Sequence, residues 1–180
     1  VDYNDLLVGD KNAIMVAARV LGYGADYTFT YNNEQHTVDL TQVEDINMDE
    51  SLVEDNENKF YFTLPASKVE VTFKLLTHGD EQKLQNEIKG LKKLNKKNAP
   101  EVSTRMKHMI TSVNSDIETK TIREFVDNNL LARDARELRN YASKIQPDVD
   151  LSFDYEDVRG DLKKVDLPIE VGFFWPDASV

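Results

Sequence analysis

The sequence predicts an α+β fold in which short antiparallel β-hairpins near both ends bracket a helical middle region. Apolar and polar residues alternate, as in half-buried strands, within residues 25–75 and 150–176. Apolar residues recur at spacings of three and four, as in amphipathic helices, within residues 80–146. The regular alternation of strands and helices that builds parallel sheets is missing. We therefore expect a single domain over residues 1–180, built as one compact body or two closely packed subdomains.

The first predicted element is a helix that ends at Gly22 and Gly24, because glycine readily supplies the left-handed residue of a helix stop. Asp10 or Asn12 can cap its first turn by accepting a hydrogen bond from a free backbone N–H group. Several apolar side chains suit burial, so we expect this helix to lie mostly inside the protein. The positions expected to be buried are Ile14, Val16, Ala17, Val20 and Leu21.

Two β-hairpins are predicted next. Residues 27–31 and 36–40 alternate around a polar turn at residues 32–34, which is typical of a hairpin. Residues 59–63 and 68–75 alternate in the same way, with a proline in the turn between them. Both pairs are short enough to need support from the rest of the fold.

The stretch between these hairpins, residues 41–58, holds seven acidic residues and no basic one. Its Asp45, Asn47 and Asp49 match the first three ligand positions of a calcium-binding loop. The stretch then lacks the glycine needed at the sixth position and the bidentate glutamate needed at the twelfth. We therefore expect a solvated acidic loop, which could dock on a basic neighbour, and no metal site.

Four helices are predicted in the middle region. Thr77 with Asp80 can form a capping box for the first, and Ser115 with Glu118 can cap the third. Pro147 ends the fourth. The apolar positions are Leu84, Ile88, Leu91 and Leu94 in the first helix, Met106, Met109, Ile110 and Val113 in the second, Ile122, Phe125 and Val126 in the third, and Leu138, Tyr141 and Ile145 in the fourth.

The chain returns to strands at residues 151–155 and 167–175, with Gly160 in the connection. Because strand pairs this short are marginally stable alone, we expect the two end hairpins to pack near one another.

Three consecutive aromatic residues, Phe173, Phe174 and Trp175, form the most apolar feature near the C-terminus. At about 150 to 250 Å² each, they carry more apolar surface than a soluble monomer normally leaves bare in one patch. The segment is therefore expected to dock, either as a core strand of its own domain or as an interface with another subunit.

Together with residues 6–24, this aromatic segment resembles the baseplate hub and hub-assembly proteins of T4-like contractile-tailed bacteriophages. The resemblance continues through residues 62–65, 76–81, 122–126 and 138–141, and it rests on the order and spacing of these segments. It implies a virion protein of the tail baseplate, assembled in the host cytoplasm, that contacts other hub or wedge proteins. The alternative within the family is a transient assembly chaperone that leaves the finished particle.

The resemblance also bears on metal binding, because members of that family can carry cysteine pairs in turns such as residues 32–34 and 154–157. This chain has no cysteine. If the resemblance implies zinc-ribbon-like hairpins, packing must hold them here, and Tyr31, Phe153 and Tyr155 become core candidates. The three histidines are too far apart in sequence for a helical metal site, so we predict no metal and no cofactor.

No catalytic motif is present in the sequence. A G-x-S-x-G nucleophile motif and a P-loop are absent, and residues 22–24 lack the third glycine of G-x-G-x-x-G. We therefore predict a protein that is not an enzyme and has no catalytic residues. A hub-associated hydrolase, which would need a carboxylate pair or triad in a cleft, is the less favoured alternative.

The formal net charge of −11 restricts the partners. An acidic surface repels phosphate groups on average, so we predict no binding to nucleic acid or to anionic membranes. No apolar run approaches the roughly 18 to 20 residues of a membrane span. Basic proteins are the partners that this charge favours.

One basic segment, residues 81–97, opposes this overall charge with six lysines against two glutamates, a net charge of +4. It can be a solvated helix face with lysines near its C-terminal end, or a dock for an acidic partner such as a second copy. Arg136 and Arg139 can add to an interface, although intrahelical pairs such as Arg133 with Glu137 are an alternative. The lysines assigned to the dock are Lys92, Lys93, Lys96 and Lys97.

Overall fold

The computed structural model of the protein describes residues 2–47, 51, 57–94, 101–156 and 159–175. The helices are α1 (Val8–Tyr23), α2 (His78–Leu94), α3 (Glu101–Met109), α4 (Thr119–Asn128), α5 (Ala132–Ile145) and α6 (Val171–Phe174). The strands are β1 (Asp26–Tyr31), β2 (Glu34–Asp39), β3 (Asp45–Ile46), β4 (Phe60–Thr63), β5 (Glu70–Phe73), β6 (Ile110–Val113), β7 (Asp148–Val149), β8 (Ser152–Glu156) and β9 (Leu162–Asp166). Their pairing is antiparallel, and the predicted α+β class with hairpins at both ends and helices between them is confirmed.

The chain divides into two compact units. Unit 1 consists of Val1–Val8 and Asn47–Gln146, and unit 2 consists of Gly9–Ile46 and Pro147–Val180. Each unit has its own cluster of buried apolar side chains. Within unit 2, β3 pairs with β7, so the main part of unit 1 is inserted between two adjacent strands of unit 2. The acidic stretch is thus partly a strand rather than a loop throughout; its residues 48–50 and 52–56 lie outside the described residues.

Unit 1 is a three-stranded sheet, in the order β4-β5-β6, whose apolar face contributes to one core with α2, α3, α4 and α5. The strand β6 corrects the prediction that Ile110 and Val113 continue a helix. The helix α3 ends at Met109, and the chain pairs at once with β5 through a register shift at Thr72 and Phe73. The β-branched residues of β6 favour this strand, and its partner is too distant in sequence for a local pattern to reveal it.

The predicted helix starts in unit 1 have different outcomes. The capping box is confirmed, because Thr77 and Asp80 each accept the other's backbone N–H at 3.3 Å. The predicted cap of α4 is wrong, since Ser115 lies in a turn with φ of +67° and makes no such bond. Asp116 instead accepts the backbone N–H of Glu118 at 2.9 Å. The apolar positions predicted for α4 and α5 are buried or packed against the core.

Unit 2 combines α1 with two hairpins, β1–β2 and β8–β9. The two hairpins share one core, as we predicted for the hairpins near the two ends of the chain. Asn32 and Asn33 form the two-residue turn of the first hairpin, and both have positive φ, as a type I′ turn requires. Tyr31, Phe153 and Tyr155, the predicted core residues, form edge-to-face ring contacts at centroid distances of 5.1 and 5.6 Å. Phe153 and Tyr155 are buried, and Tyr31 packs against them.

The prediction for α1 is wrong in its caps and in its buried face. The helix begins at Val8, so Asp10 and Asn12 lie inside it, and the amide of Asn12 donates to Asp148 at 2.9 Å. The stop at Gly24, with φ of +87°, is confirmed, but Gly22 lies inside the helix. Val16 is buried as predicted. Three other positions that were predicted to be buried are exposed: Ile14, Ala17 and Leu21.

The final strand is also placed differently from the prediction. The partner of β8 is β9, and residues 171–174 form a short helix. Pro168 explains part of the difference, because a proline has no backbone N–H to donate to a strand partner. The strand β9 contains two adjacent exposed lysines, Lys163 and Lys164, so its sequence does not show the alternation of apolar and polar residues that predicts a strand.

Candidate interaction surfaces

The C-terminal aromatic segment docks on its own unit through one ring. Phe173 is fully buried and meets Tyr27 edge to face at a centroid distance of 4.9 Å. The hydroxyl of Tyr27 donates to the carbonyl of Pro168, which ties the segment to β1. Burial raises the pKa of Tyr27, and the carboxylate of Glu170 adds to the effect. Phe173 is therefore a core residue, although it lies on a helical turn rather than a strand.

The other two aromatic residues differ from Phe173. Phe174 is half-buried, with its ring 5.0 Å from that of Phe173. Trp175 is 60% exposed, and Val171 on the same turn is 67% exposed. The structure thus divides the segment into an anchor and an exposed apolar surface, which we call the C-terminal turn surface (Val171 and Trp175).

The two units differ strongly in charge. Unit 2 holds 15 acidic and 5 basic residues, a formal net charge of −10. Unit 1 holds 18 acidic and 17 basic residues, a formal net charge of −1. The C-terminal turn surface therefore belongs to a strongly acidic unit, whose field is negative.

An open groove of about 310 Å³ lies in unit 2 between the two hairpins. Asp39, Glu44, Asp150 and Asp154 line it together with Lys164. The ammonium of Lys164 lies 2.6 Å from Asp150, and this pairing lowers the pKa of Asp150. Within the part of the chain that the structure describes, no three acidic or histidine side chains converge as a metal site would require.

The predicted basic dock lies in unit 1, and the carboxylate of Glu101 pairs with one of its lysines. Lys92 pairs with Glu101 at 2.6 Å, and this contact lowers the pKa of Glu101. Glu101 and Arg139 line the same groove of about 250 Å³, so the structure brings Lys92 and Arg139 into one neighbourhood. Lys93 is exposed. Lys96 and Lys97 lie outside the described residues.

Arg136 and Arg139 both make contacts within α5, which is the kind of contact that the intrahelical alternative describes. Arg139 donates to the carbonyl of Ala135 at 3.2 Å, inside its own helix. Arg136 pairs with its neighbour Glu137 at 3.2 Å. The intrahelical alternative had named Arg133 as the partner of Glu137. Both contacts are local, and the side chain of Arg136 is exposed.

A cluster of partly buried charged side chains joins three helices of unit 1. It was not predicted from the sequence. Glu87 on α2 accepts from Arg123 on α4 at 3.0 Å and contacts His108 on α3 at 2.8 Å. The hydrogen bond from Arg123, with that of His108, lowers the pKa of Glu87 to about 2. The members are far apart in sequence, so no local signal reveals them.

The outer face of the unit 1 sheet carries hydroxyl groups. The hydroxyl of Thr72 lies 2.8 Å from that of Thr111 and 2.6 Å from that of Ser112. An open cavity of about 490 Å³ extends from these groups to the exposed side chains of Tyr61 and Ile117. The alternation of β4 and β5 indicates this face, but its third strand was not predicted.

Comparison with known proteins adds no relative. No protein-family model, no curated protein and no solved structure matches this chain. The resemblance to phage baseplate hub proteins therefore stays a prediction, and the functional argument rests on the surfaces described above. In the described residues, no helix is long and apolar enough to cross a membrane.

Several histidine and aspartate side chains are held by contacts within their own unit. His36 stacks among the aromatic rings of unit 2, and His108 pairs with Glu87. Asp134 and Asp80 are held by backbone or lysine contacts within unit 1. These side chains are held by contacts within their own units, whereas the side chains of the C-terminal turn surface are exposed.

Proposed function

We propose that the protein is a baseplate hub protein of a T4-like contractile-tailed phage, structural or acting in hub assembly, and that it works through protein contacts. The order of sequence segments supports the family. The observation that carries the mode of action is the C-terminal turn surface, because Trp175 stands exposed beside a buried anchor in a unit of net charge −10.

The anchored turn suits binding for an energetic reason. Ordering a loop or side chain on association costs affinity, and the burial of Phe173 restrains the turn before any partner arrives. Tryptophan is among the residues that most often dominate binding free energy, because its large ring fills a partner's pocket. The acidic field of unit 2 would steer a basic hub or wedge protein toward the turn.

The first experiment is quantitative mass spectrometry of purified, intact tails of the encoding phage, compared with the lysate in which they assembled. A fixed stoichiometry in the tails would make the chain a structural subunit of the baseplate. Its presence only in hub precursors would make it an assembly factor. Its absence from both would overturn the proposal.

The role of the turn is tested with Trp175→Ala in the same assay. We expect incorporation into tails or precursors to fall about tenfold or more, in line with the loss of an interface hot spot. Tyr61→Ala, which removes an aromatic residue of similar exposure from unit 1, is the control and should leave incorporation unchanged. Equal incorporation of both variants would remove Trp175 from the mechanism.

A further inference from the structure

The outer face of the unit 1 sheet forms one continuous groove. The cavity of about 490 Å³ beside Thr72 shares four lining residues with a second cavity of about 300 Å³. The apolar residues of β4, β5 and β6 belong to the core, so the alternation of each strand puts Tyr61, Thr72 and Ser112 on the opposite face. We call the joined cavities the sheet groove, and the residues that they share are Tyr61, Thr72, Ser112 and Ser115.

The centre of the sheet groove presents hydroxyl groups. The hydroxyl of Thr72 bonds to those of Thr111 and Ser112, at 2.8 and 2.6 Å. Each hydroxyl has one proton to donate and two lone pairs to accept with, so the cluster keeps free capacity after these two bonds. A ligand that covers the cluster must both donate and accept hydrogen bonds, because polar groups buried without partners are costly. An apolar protein surface does not meet that demand.

Tyr61 adds an aromatic ring to this polar groove. The residue is 54% exposed, and the ammonium of Lys59 lies 5.4 Å from the centroid of its ring. This cation–π contact restrains the ring. A restrained ring loses little conformational entropy when a ligand stacks on it. The face of an aromatic ring is apolar and carries partial negative charge, so it suits a ligand that presents C–H groups.

The turn that follows β6 carries a serine where glycine is expected. Asn114 and Ser115 both have positive φ, of +47° and +67°. The residues on either side, Val113 and Asp116, exchange two backbone hydrogen bonds at 2.9 Å. This is the geometry of a two-residue type I′ turn, whose second position favours glycine. A strained residue that lines a groove points to a role for its side chain.

The sheet groove has no net charge. Among the described residues that line it, the charged ones are Lys59 and Glu70. Unit 1 as a whole has a formal net charge of −1. Ligands rich in phosphate bind where lysine and arginine create a positive field. The groove therefore favours a neutral ligand.

We propose that the sheet groove binds a neutral saccharide. Sugar hydroxyls both donate and accept hydrogen bonds, as the cluster around Thr72 requires. The C–H face of a sugar ring can stack on Tyr61 while its hydroxyls contact Thr72 and Ser115. The sheet has three strands, which span about 10 Å at the usual strand spacing, so the groove has the length of a disaccharide. Both cavities have the volume of ordinary ligand pockets, about 300 to 1,000 Å³.

An NMR titration of the full chain tests this site with three neutral disaccharides, maltose, cellobiose and N,N′-diacetylchitobiose. At least one should shift the backbone amides of Tyr61, Thr72 and Ser112 in a saturable way. Because the groove is open and offers one aromatic ring, we expect a dissociation constant of about 0.1 to 10 mM. The constant should not change between about 50 and 500 mM salt, since the ligand has no charge. A uridine oligonucleotide is the probe for the competing ligand class, because its bases can also stack on an aromatic ring.

Two variants with matched controls test the residues. Tyr61→Ala should weaken saccharide binding about tenfold through the loss of stacking. Tyr3→Ala removes a tyrosine of equal exposure beside α2 and should leave binding unchanged. Ser115→Gly should not destabilise the turn, but it should weaken binding about two- to tenfold through the loss of one hydrogen bond. Asn33→Gly makes the corresponding change in the β1–β2 turn and should leave binding unchanged.

Four outcomes would each overturn the proposal. They are the lack of a saturable shift with any of the three disaccharides, equal binding by Tyr61→Ala and the wild type, equal binding by Ser115→Gly and the wild type, and salt-dependent shifts of the same amides by the oligonucleotide. None of them depends on a phage origin. Incorporation into tails and saccharide binding are separate measurements, and Tyr61→Ala should keep the first and lose the second.

Discussion

In each unit, one buried charged side chain forms hydrogen bonds to the backbone of a loop and holds that loop in place. In unit 1, the carboxylate of Asp134 is fully buried and accepts the N–H groups of Ala66 and Ser67 at 2.7 and 2.9 Å. In unit 2, the guanidinium of Arg19 donates to the carbonyls of Gly24 and Asp26 at 2.8 and 3.0 Å. A buried charge held this way specifies loop geometry, because removing it leaves backbone groups without partners.

Replacement of Asp134 by asparagine should destabilise unit 1. One of the two backbone N–H groups would face an amide NH₂ and lose its acceptor, which costs about 1–3 kcal/mol of unfolding free energy. Urea denaturation measures the change. Glu124→Gln is the control, because Glu124 is exposed in a surface pair with Lys120 and should matter by less than about 1 kcal/mol. Equal effects from the two variants would contradict this role of Asp134.

The ion cluster of Glu87 predicts a dependence on pH. The pKa of Glu87 in the folded protein is about 2, below its ordinary value of 4.5. The cluster therefore contributes its full stability to the folded state at pH values above about 4.5. This contribution should be lost as the pH falls from about 4.5 toward 2. Arg123→Met should raise the pKa of Glu87 in an NMR titration of its side chain. Arg105→Met, which removes a partner of Glu81 instead, should leave it unchanged.

Among the helices and strands, α1 shows how one glycine sets the orientation of a whole helix. Only a residue without Cβ fits between the helix and the backbone at Pro147 and Asp148. The sheet of unit 1 shows the same dependence on distant contacts, because β5 receives one neighbour from a local hairpin and the other from β6, beyond two helices.

Replacement of Gly9 by alanine should force α1 away from Pro147 and destabilise unit 2. Overpacking of this kind typically costs about 1–3 kcal/mol, and a clash with backbone leaves little room for relief. Thermal unfolding followed by near-UV circular dichroism measures the loss. Gly90→Ala in α2 is the matched control, since nothing lies within 4 Å of its added Cβ. That variant should gain about 0.5–1 kcal/mol from helix propensity.

The whole chain is organised as an insertion. Unit 2 is interrupted after Ile46 and resumes at Pro147, and the strands on either side of the gap pair with each other. Nearly all of the net charge lies in unit 2, although the acidic and basic residues of unit 1 are the more numerous. The division by folding unit is therefore also a division by charge.

Removal of the inserted residues 47–146 should leave unit 2 able to fold. Opposite residues of an antiparallel pair lie about 4.5–5.5 Å apart, so a short glycine-rich linker can join Ile46 to Pro147. The shortened chain keeps the buried aromatic cluster of unit 2. We expect dispersed NMR spectra and a cooperative thermal transition. A spectrum typical of an unfolded chain would show that unit 2 needs unit 1 for its stability.

Several features of this protein follow from local patterns in the sequence. The hairpin turn at Asn32 and Asn33, the capping box of α2 and the apolar faces of α4 and α5 involve residues within one or two turns of each other. Their spacing alone carries the geometry. The sequence likewise singled out Phe173, Phe174 and Trp175 as an apolar segment in need of a partner.

Contacts between distant residues decided the rest. The choice of Phe173 as anchor depends on Tyr27, the outward face of α1 depends on Pro147, and the strand β6 depends on Phe73. A local sequence pattern shows that a side chain is apolar, but it does not predict which part of the protein will bury it. Burial is a property of the assembled core, so the division between core and exposed apolar surface appears only when the chain has folded.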